Sequence, residues 1–148
     1  MIELKEHKVR ILINGNRPDF RIFSMYLWAD DYNFDSDGDS YNPASKTWTW
    51  LYMSSRVVSG EYFEVYQLPD QPLVFEVCSP DKYVSNRVAL FLAKETDGQI
   101  IGDGNSLLPY NLLDKELGEN FNLSEALLRS DQSIWRLSTL ENPYPNIK

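Results

Sequence analysis

The 148-residue chain predicts an α+β fold: an antiparallel sheet of about five or six strands, with helices in the C-terminal half packed on one face. Three observations carry that prediction. Apolar residues alternate with polar ones from the first strand-like run, β-branched and aromatic residues fill residues 47–79, and the period changes to that of a helix after Ser79. The length suits one domain, 1–148, and a hydrophobic content of 43% with 14% aromatics is enough to build one core.

The run HKVRILIN sets Val9, Ile11 and Ile13 against Lys8 and Arg10, a strand with one buried face. Residues 14–19, NGNRPD, hold turn formers, and FRIFSMYLW (20–28) reads as a second strand closing a hairpin with the first. KTWTWLYMSSRVV, EYFEVYQL and PLVFEVCS then give a three-strand antiparallel meander broken at Gly60 and at Pro69–Pro72. A helix is expected over 80–95, with Ser79 as cap, Pro80 in its first position and Asp81 complementing its dipole. Val84, Val88, Phe91 and Leu92 share one face, and Gly98 lies beyond the end. GQIIG is a short returning strand. Two helices follow, LPYNLLDKEL and NLSEALLRSDQSIWRL, the second with Asn122 as cap and Glu125 at the capping-box distance.

The formal charge of −8 argues against a protein that coats nucleic acid, which needs clustered Lys and Arg. No run reaches the ~18 apolar residues of a membrane span, and no signal peptide is read in the first residues. The single Cys78 closes no internal disulfide, which makes the cytoplasm the expected location. The negative charge falls in two blocks. Residues 30–40 carry five acids and no base, and residues 95–141 carry nine acids against three bases.

The first block, DDYNFDSDGDSYNPAS, is the chief candidate site, through Asp30, Asp31, Asp35, Asp37 and Asp39. Asn33, Asp35, Asp37 and Gly38 match positions 1, 3, 5 and 6 of a calcium loop, but Ala44 occupies the place of its bidentate Glu and strands are expected on both sides. A solvated turn is the plain alternative. About 17 residues between the flanking strands exceed the ~12–15 beyond which structureless loops are usually functional or disordered. Crowded like charges call for a counter-charge, and a basic protein would supply it. Trp48 and Trp50 alternate with Thr47, Thr49 and Leu51; buried, they are core, and exposed beside the loop they are interface anchors or a stacking platform.

Other chemistry has weaker footing. Cys78 as a nucleophile needs a base, and His7 is the lone histidine. The glycines of GQIIGDGN follow too short a strand for a dinucleotide site. No zinc cluster and no cofactor motif is present in the sequence, although a pair among 22 acids could serve a small hydrolase.

The stretch VALFLAKETDGQIIGDG (88–104), a helix running through a turn into a short strand with acidic helices after it, resembles small α+β immunity proteins of bacterial toxin systems. The resemblance implies that the chain binds one cognate toxin and blocks its active site. Together with the charge, it makes the expected partner a basic toxin domain such as a nuclease, whose own cleft must be positive to hold phosphate. A carboxylate-based hydrolase, or a ligand-binding or scaffold domain using an aromatic face, is the alternative.

Overall fold

The computed structural model describes residues 6–102, 104, 106–108 and 121–145. Seven antiparallel strands form one sheet: β1 (His7–Leu12), β2 (Phe34–Gly38), β3 (Trp50–Ser55), β4 (Tyr62–Leu68), β5 (Gln71–Ser79), β6 (Gln99–Ile101) and β7 (Leu107–Leu108). Their order across the sheet is β2-β3-β4-β5-β1-β6-β7. Among the described residues three helices, α1 (Ile22–Trp28), α2 (Lys82–Glu95) and α3 (Leu123–Asp131), accompany it, and a 3-10 turn spans Ile134–Leu137. The architecture is the α+β arrangement expected, with one strand more than the upper expectation.

The meander forms as its sequence dictates. Leu51, Met53, Phe63, Val65, Phe75 and Val77 alternate onto one face and are nearly or wholly inaccessible. β1 is not a hairpin partner of the segment after it. It runs in the middle of the sheet between β5 and β6, where Val9 and Ile11 lie opposite Val77 and Phe75.

Residues 20–28 contain α1 and no strand. Their aromatic and β-branched content favours a strand, but Ile22, Phe23, Tyr26 and Leu27 recur at helical spacing, and all four are buried. Asp19 starts the turn: its carboxylate accepts from the Arg21 N–H at 3.0 Å and from the Arg21 guanidinium at 2.9 and 2.7 Å. Arg129 of α3 holds the other end, donating to the carbonyls of Met25 and Tyr26 at 2.7 and 2.5 Å. A cation on the last helix carbonyls both satisfies them and complements the dipole.

α2 begins two residues later than expected. Asp81 is its cap and accepts from the N–H of Tyr83 at 2.8 Å. After the helix, Asp97 takes a left-handed conformation (φ 51°) and the Gly98 N–H returns to the Ala93 carbonyl at 2.7 Å. Only glycine fits at 98, because a Cβ there would sit 2.4 Å from the Leu12 carbonyl oxygen. Asn122 caps α3 as expected, accepting from the Glu125 N–H at 3.0 Å. The expected helix over LPYNLLDKEL lies outside the described residues, apart from Leu108 in β7.

The core joins helices to sheet through aromatics. Phe23 meets Phe63 and Phe91 at 5.4 and 5.3 Å between centroids, and Tyr26 stacks on Phe91 at 4.4 Å. We expect Phe63→Ala or Phe91→Ala to cost about 3–5 kcal/mol in urea unfolding, the range for emptying a packed aromatic site. Leu128→Ala, at a side chain 66% exposed, should stay within about 0.5 kcal/mol of wild type.

Candidate functional site: an acidic sheet edge

The stretch 30–43 is not a structureless loop. Its centre is β2, the edge strand, paired with β3 so that Asp35 lies opposite Ser54 and Asp37 opposite Tyr52. The five aspartates have five different surroundings. Asp30 closes a turn, accepting from the N–H groups of Tyr32 and Asn33 at 2.7 and 2.8 Å and from the Asn33 amide at 2.7 Å. Asp31 points inward at 8% exposure. It accepts from the Ser133 hydroxyl at 2.6 Å and the Ile134 N–H at 3.0 Å, and its carbonyl accepts from Trp135 Nε1 at 2.8 Å.

Asp35 is bound by the guanidinium of Arg56, with Nε at 2.9 Å. Asp37 bonds its own neighbour, the Gly38 N–H, at 2.8 Å. Asp39 accepts from the N–H groups of Thr49 and Trp50 at 2.8 and 3.1 Å and from the Thr49 hydroxyl. Bonds from Asn33 and Tyr32 hold the Asp30 carboxyl below its ordinary value, and Arg56 does the same for Asp35. Partial burial works against Asp39, yet the bonds from Thr49 and Trp50 outweigh it, and its pKa too is lowered.

Extended backbone removes the calcium-loop geometry. Asp35 and Asp37 sit two residues apart along a strand, about 6.6 Å by strand rise, instead of curling around a centre. Among the described residues no three His, Cys, Asp or Glu side chains are gathered to hold a metal ion.

Trp48 and Trp50 do not share a face. Trp48 is 2% exposed, donates Nε1 to the Pro18 carbonyl at 2.9 Å and packs on Phe23 and Phe75, so it belongs to the core and offers a partner nothing. Trp50 and Tyr52 lie half-buried on the sheet face opposite the helices, with Trp50 Nε1 on Glu64 at 2.6 Å. The exposed aromatics of the acidic stretch are Tyr32 and Tyr41, at 58% and 78%. Along residues 36–43 the edge opens into a pocket of about 180 Å³. Phe20, Pro43 and Leu51 form its apolar wall and Ser36 and Ser40 its polar side, while Asp37 borders it along the strand, its side chain on the opposite face with Tyr52.

No family model matches the chain, and no curated protein or solved structure matches it.

The other sequence candidates are His7, Cys78 and the carboxylates. His7 lies opposite Ser79 in the β1–β5 ladder and Cys78 opposite Lys8, so the period of two puts histidine and thiol on opposite faces. Burial pushes the Cys78 thiol up, away from the thiolate a nucleophile needs. On the helix-free face, Glu76 is 4% exposed and accepts from Arg10 Nε at 2.8 Å and from the Tyr66 hydroxyl, with Lys8 Nζ at 3.7 Å. Desolvation raises its pKa, but the Tyr66 and Arg10 bonds prevail and the net shift is downward. A carboxylate so anchored is not poised to donate a proton.

The sequence reading passed over Tyr32 and Tyr41. Both stand inside the acidic stretch, and a tyrosine flanked by aspartates and asparagines has no apolar neighbour in sequence to bury it, which was the available signal.

Asp31→Ala should cost about 1–3 kcal/mol, since it strips a buried carboxylate from the Ser133 and Ile134 donors, whereas Asp37→Asn should leave the urea midpoint nearly unchanged. Glu76 sets a pH dependence. Its folded pKa lies below the free value of 4.5, so its stabilisation is whole above that pH and is lost as pH falls through the folded value. The stability gap between wild type and Glu76→Gln is therefore expected to narrow as unfolding is measured at successively lower pH below 4.5.

Proposed function

We infer that the chain is a protein-binding module of the immunity type, which captures a basic bacterial toxin domain on its acidic edge and blocks that domain's cleft. One observation carries the reading: the pocket of about 180 Å³ in the edge, apolar in its wall and bordered by Asp37, with Tyr41 78% exposed next to it in the chain. A Lys or Arg side chain crossing the edge has the matching form, its apolar stem against the pocket wall and its charged head near the carboxylates of Asp35, Asp37 and Asp39 on the adjoining face. Tyrosine is a preferred hot-spot residue because it brings a large rigid surface at little cost in side-chain entropy.

The electrostatics favour the same partner. Asp30, Asp37 and Asp39 make no salt bridge among the described residues, and hydrogen bonds led by the Asn33 amide and the Thr49 hydroxyl lower the pKa of Asp30 and Asp39. Their field, on a chain of charge −8, steers a cationic surface to this edge. A nuclease cleft, positive because it must hold phosphate, would meet carboxylates in the place of phosphates. The resemblance of residues 88–104 to immunity proteins points to the same class of partner.

The test is co-expression with a basic toxin domain encoded beside this gene, joined to stopped-flow association of the two purified proteins. Growth should be rescued, and the association rate constant should fall by more than about tenfold from low to high salt. Tyr41→Ala should accelerate dissociation by roughly tenfold or more, and Asp37→Lys should slow association. A rate flat with ionic strength, or full protection by the Tyr41→Ala/Asp37→Lys double variant, would contradict the proposal.

A further inference from the structure

A second cleft, of about 290 Å³, lies between the β1–α1 turn, Lys46 and the C-terminal 3-10 turn, and its charge is opposite to that of the edge. Arg17, Lys46 and Arg136 face it, as do Asp19 and Glu95. Both carboxylates are already matched. Asp19 holds the fork of Arg21 and accepts from the Ser138 hydroxyl at 2.7 Å, and Glu95 is bound by Arg136. Arg17 and Lys46 make no salt bridge among the described residues, and Asp39 attracts Arg17 only from outside the cleft, so the cleft retains two positive charges in a chain of net −8.

Arg17 is fixed in place. Its Nε donates to the Trp48 carbonyl at 2.9 Å and its guanidinium lies 5.0 Å from the centroid of Phe75, which leaves both Nη groups without a hydrogen-bond partner among the described residues. Burial lowers its pKa, the cost of holding a half-desolvated cation. Behind the wall, Arg21 is 4% exposed and 3.9 Å from the ring centroid of Trp135, and its Nη1 also lacks a partner.

We propose that this cleft binds the phosphate group of a small molecule, received by the free Nη groups of Arg17 and by Lys46 Nζ, with the Asn16 amide as a further donor. Phosphate suits the site better than a single carboxylate. The guanidinium offers two parallel donors, the ammonium adds a point charge, and a dianion compensates both cations at once. A volume near the lower bound of about 300 Å³ for ligand pockets limits the ligand to a small one. A nucleic-acid backbone is disfavoured by the negative field of the rest of the molecule.

The isolated protein suffices for the test. Inorganic phosphate, sodium chloride and sodium acetate are compared at equal ionic strength by thermal unfolding and by calorimetric titration. Phosphate should raise Tm saturably, and Lys46→Gln, at an exposed position whose side chain makes no hydrogen bond among the described residues, should weaken the apparent Kd by roughly tenfold or more while keeping the wild-type Tm without phosphate. Asn16→Ala, also exposed, should weaken it less. No saturable response to phosphate, acetate acting as strongly, or a Lys46→Gln curve identical to wild type would overturn the proposal. None of these outcomes touches the partner reading, which rests on other side chains.

Discussion

The buried carboxylate of Asp31 is the constraint on which the acidic edge depends. An ionisable group at 8% exposure is tolerated only where hydrogen-bond donors meet it, and Ser133 and Ile134 supply one to each carboxylate oxygen from the far end of the chain, while Trp135 Nε1 donates to the Asp31 backbone carbonyl. That contact joins the start of the acidic stretch to the C-terminal 3-10 turn. Asp39 fastens the other end to Thr49 and Trp50, so β2 and its charges are suspended between two anchors. Asn42, whose side-chain amide donates to the Leu140 carbonyl at 3.1 Å, ties the outgoing chain to the same C-terminal region.

The same carboxylates also protect the sheet. β2 is an edge, and an edge strand of unpaired N–H and C=O groups invites pairing with other chains. Asp37 occupies the Gly38 N–H with its own side chain, and Asp35 and Arg56 place a charged pair beside the strand. Charge that prevents indiscriminate strand addition is compatible with recognition of one cationic partner through side chains, as proposed for this edge. Elsewhere on the helix-free face, Glu76 is compensated by Arg10, Lys8 and Tyr66.

What was legible in the sequence was local. The alternation of β1 and β3–β5, the 3.6-residue face of α2 and the Asn122 cap each depend on residues within a few positions of one another, and they form nearly where expected. α1 was misread because Ile22, Phe23, Tyr26 and Trp28 have strand-like side chains, while the carbonyl contacts that hold its end come from Arg129, more than 100 residues away. The central place of β1 was invisible for a similar reason: its partners are Phe75, Val77 and Ile100. At the site, the acidic character was plain but the division of labour was not, since Asp35 meets Arg56 at a separation of 21 residues and Asp31 meets Ser133 at 102. Trp48 and Trp50, two apart, were placed on one face by a strict period of two, yet β3 begins only at Trp50, and ahead of it the chain carries Trp48 into the core.

Amide hydrogen exchange across residues 30–43 of the isolated protein tests most directly whether the edge is built before any partner arrives. In the β2–β3 ladder the Asp39 N–H donates to the Trp50 carbonyl and the Arg56 N–H to that of Asn33, so the odd-numbered amides of β2 face β3 while that of Ser36 faces outward. The account predicts slow exchange at Asp35, Asp37 and Asp39 and fast exchange at Ser36. Uniform exchange at the rate of an unstructured peptide across all four would show that the acidic stretch is not held by its own fold, and the preformed edge would have to be abandoned.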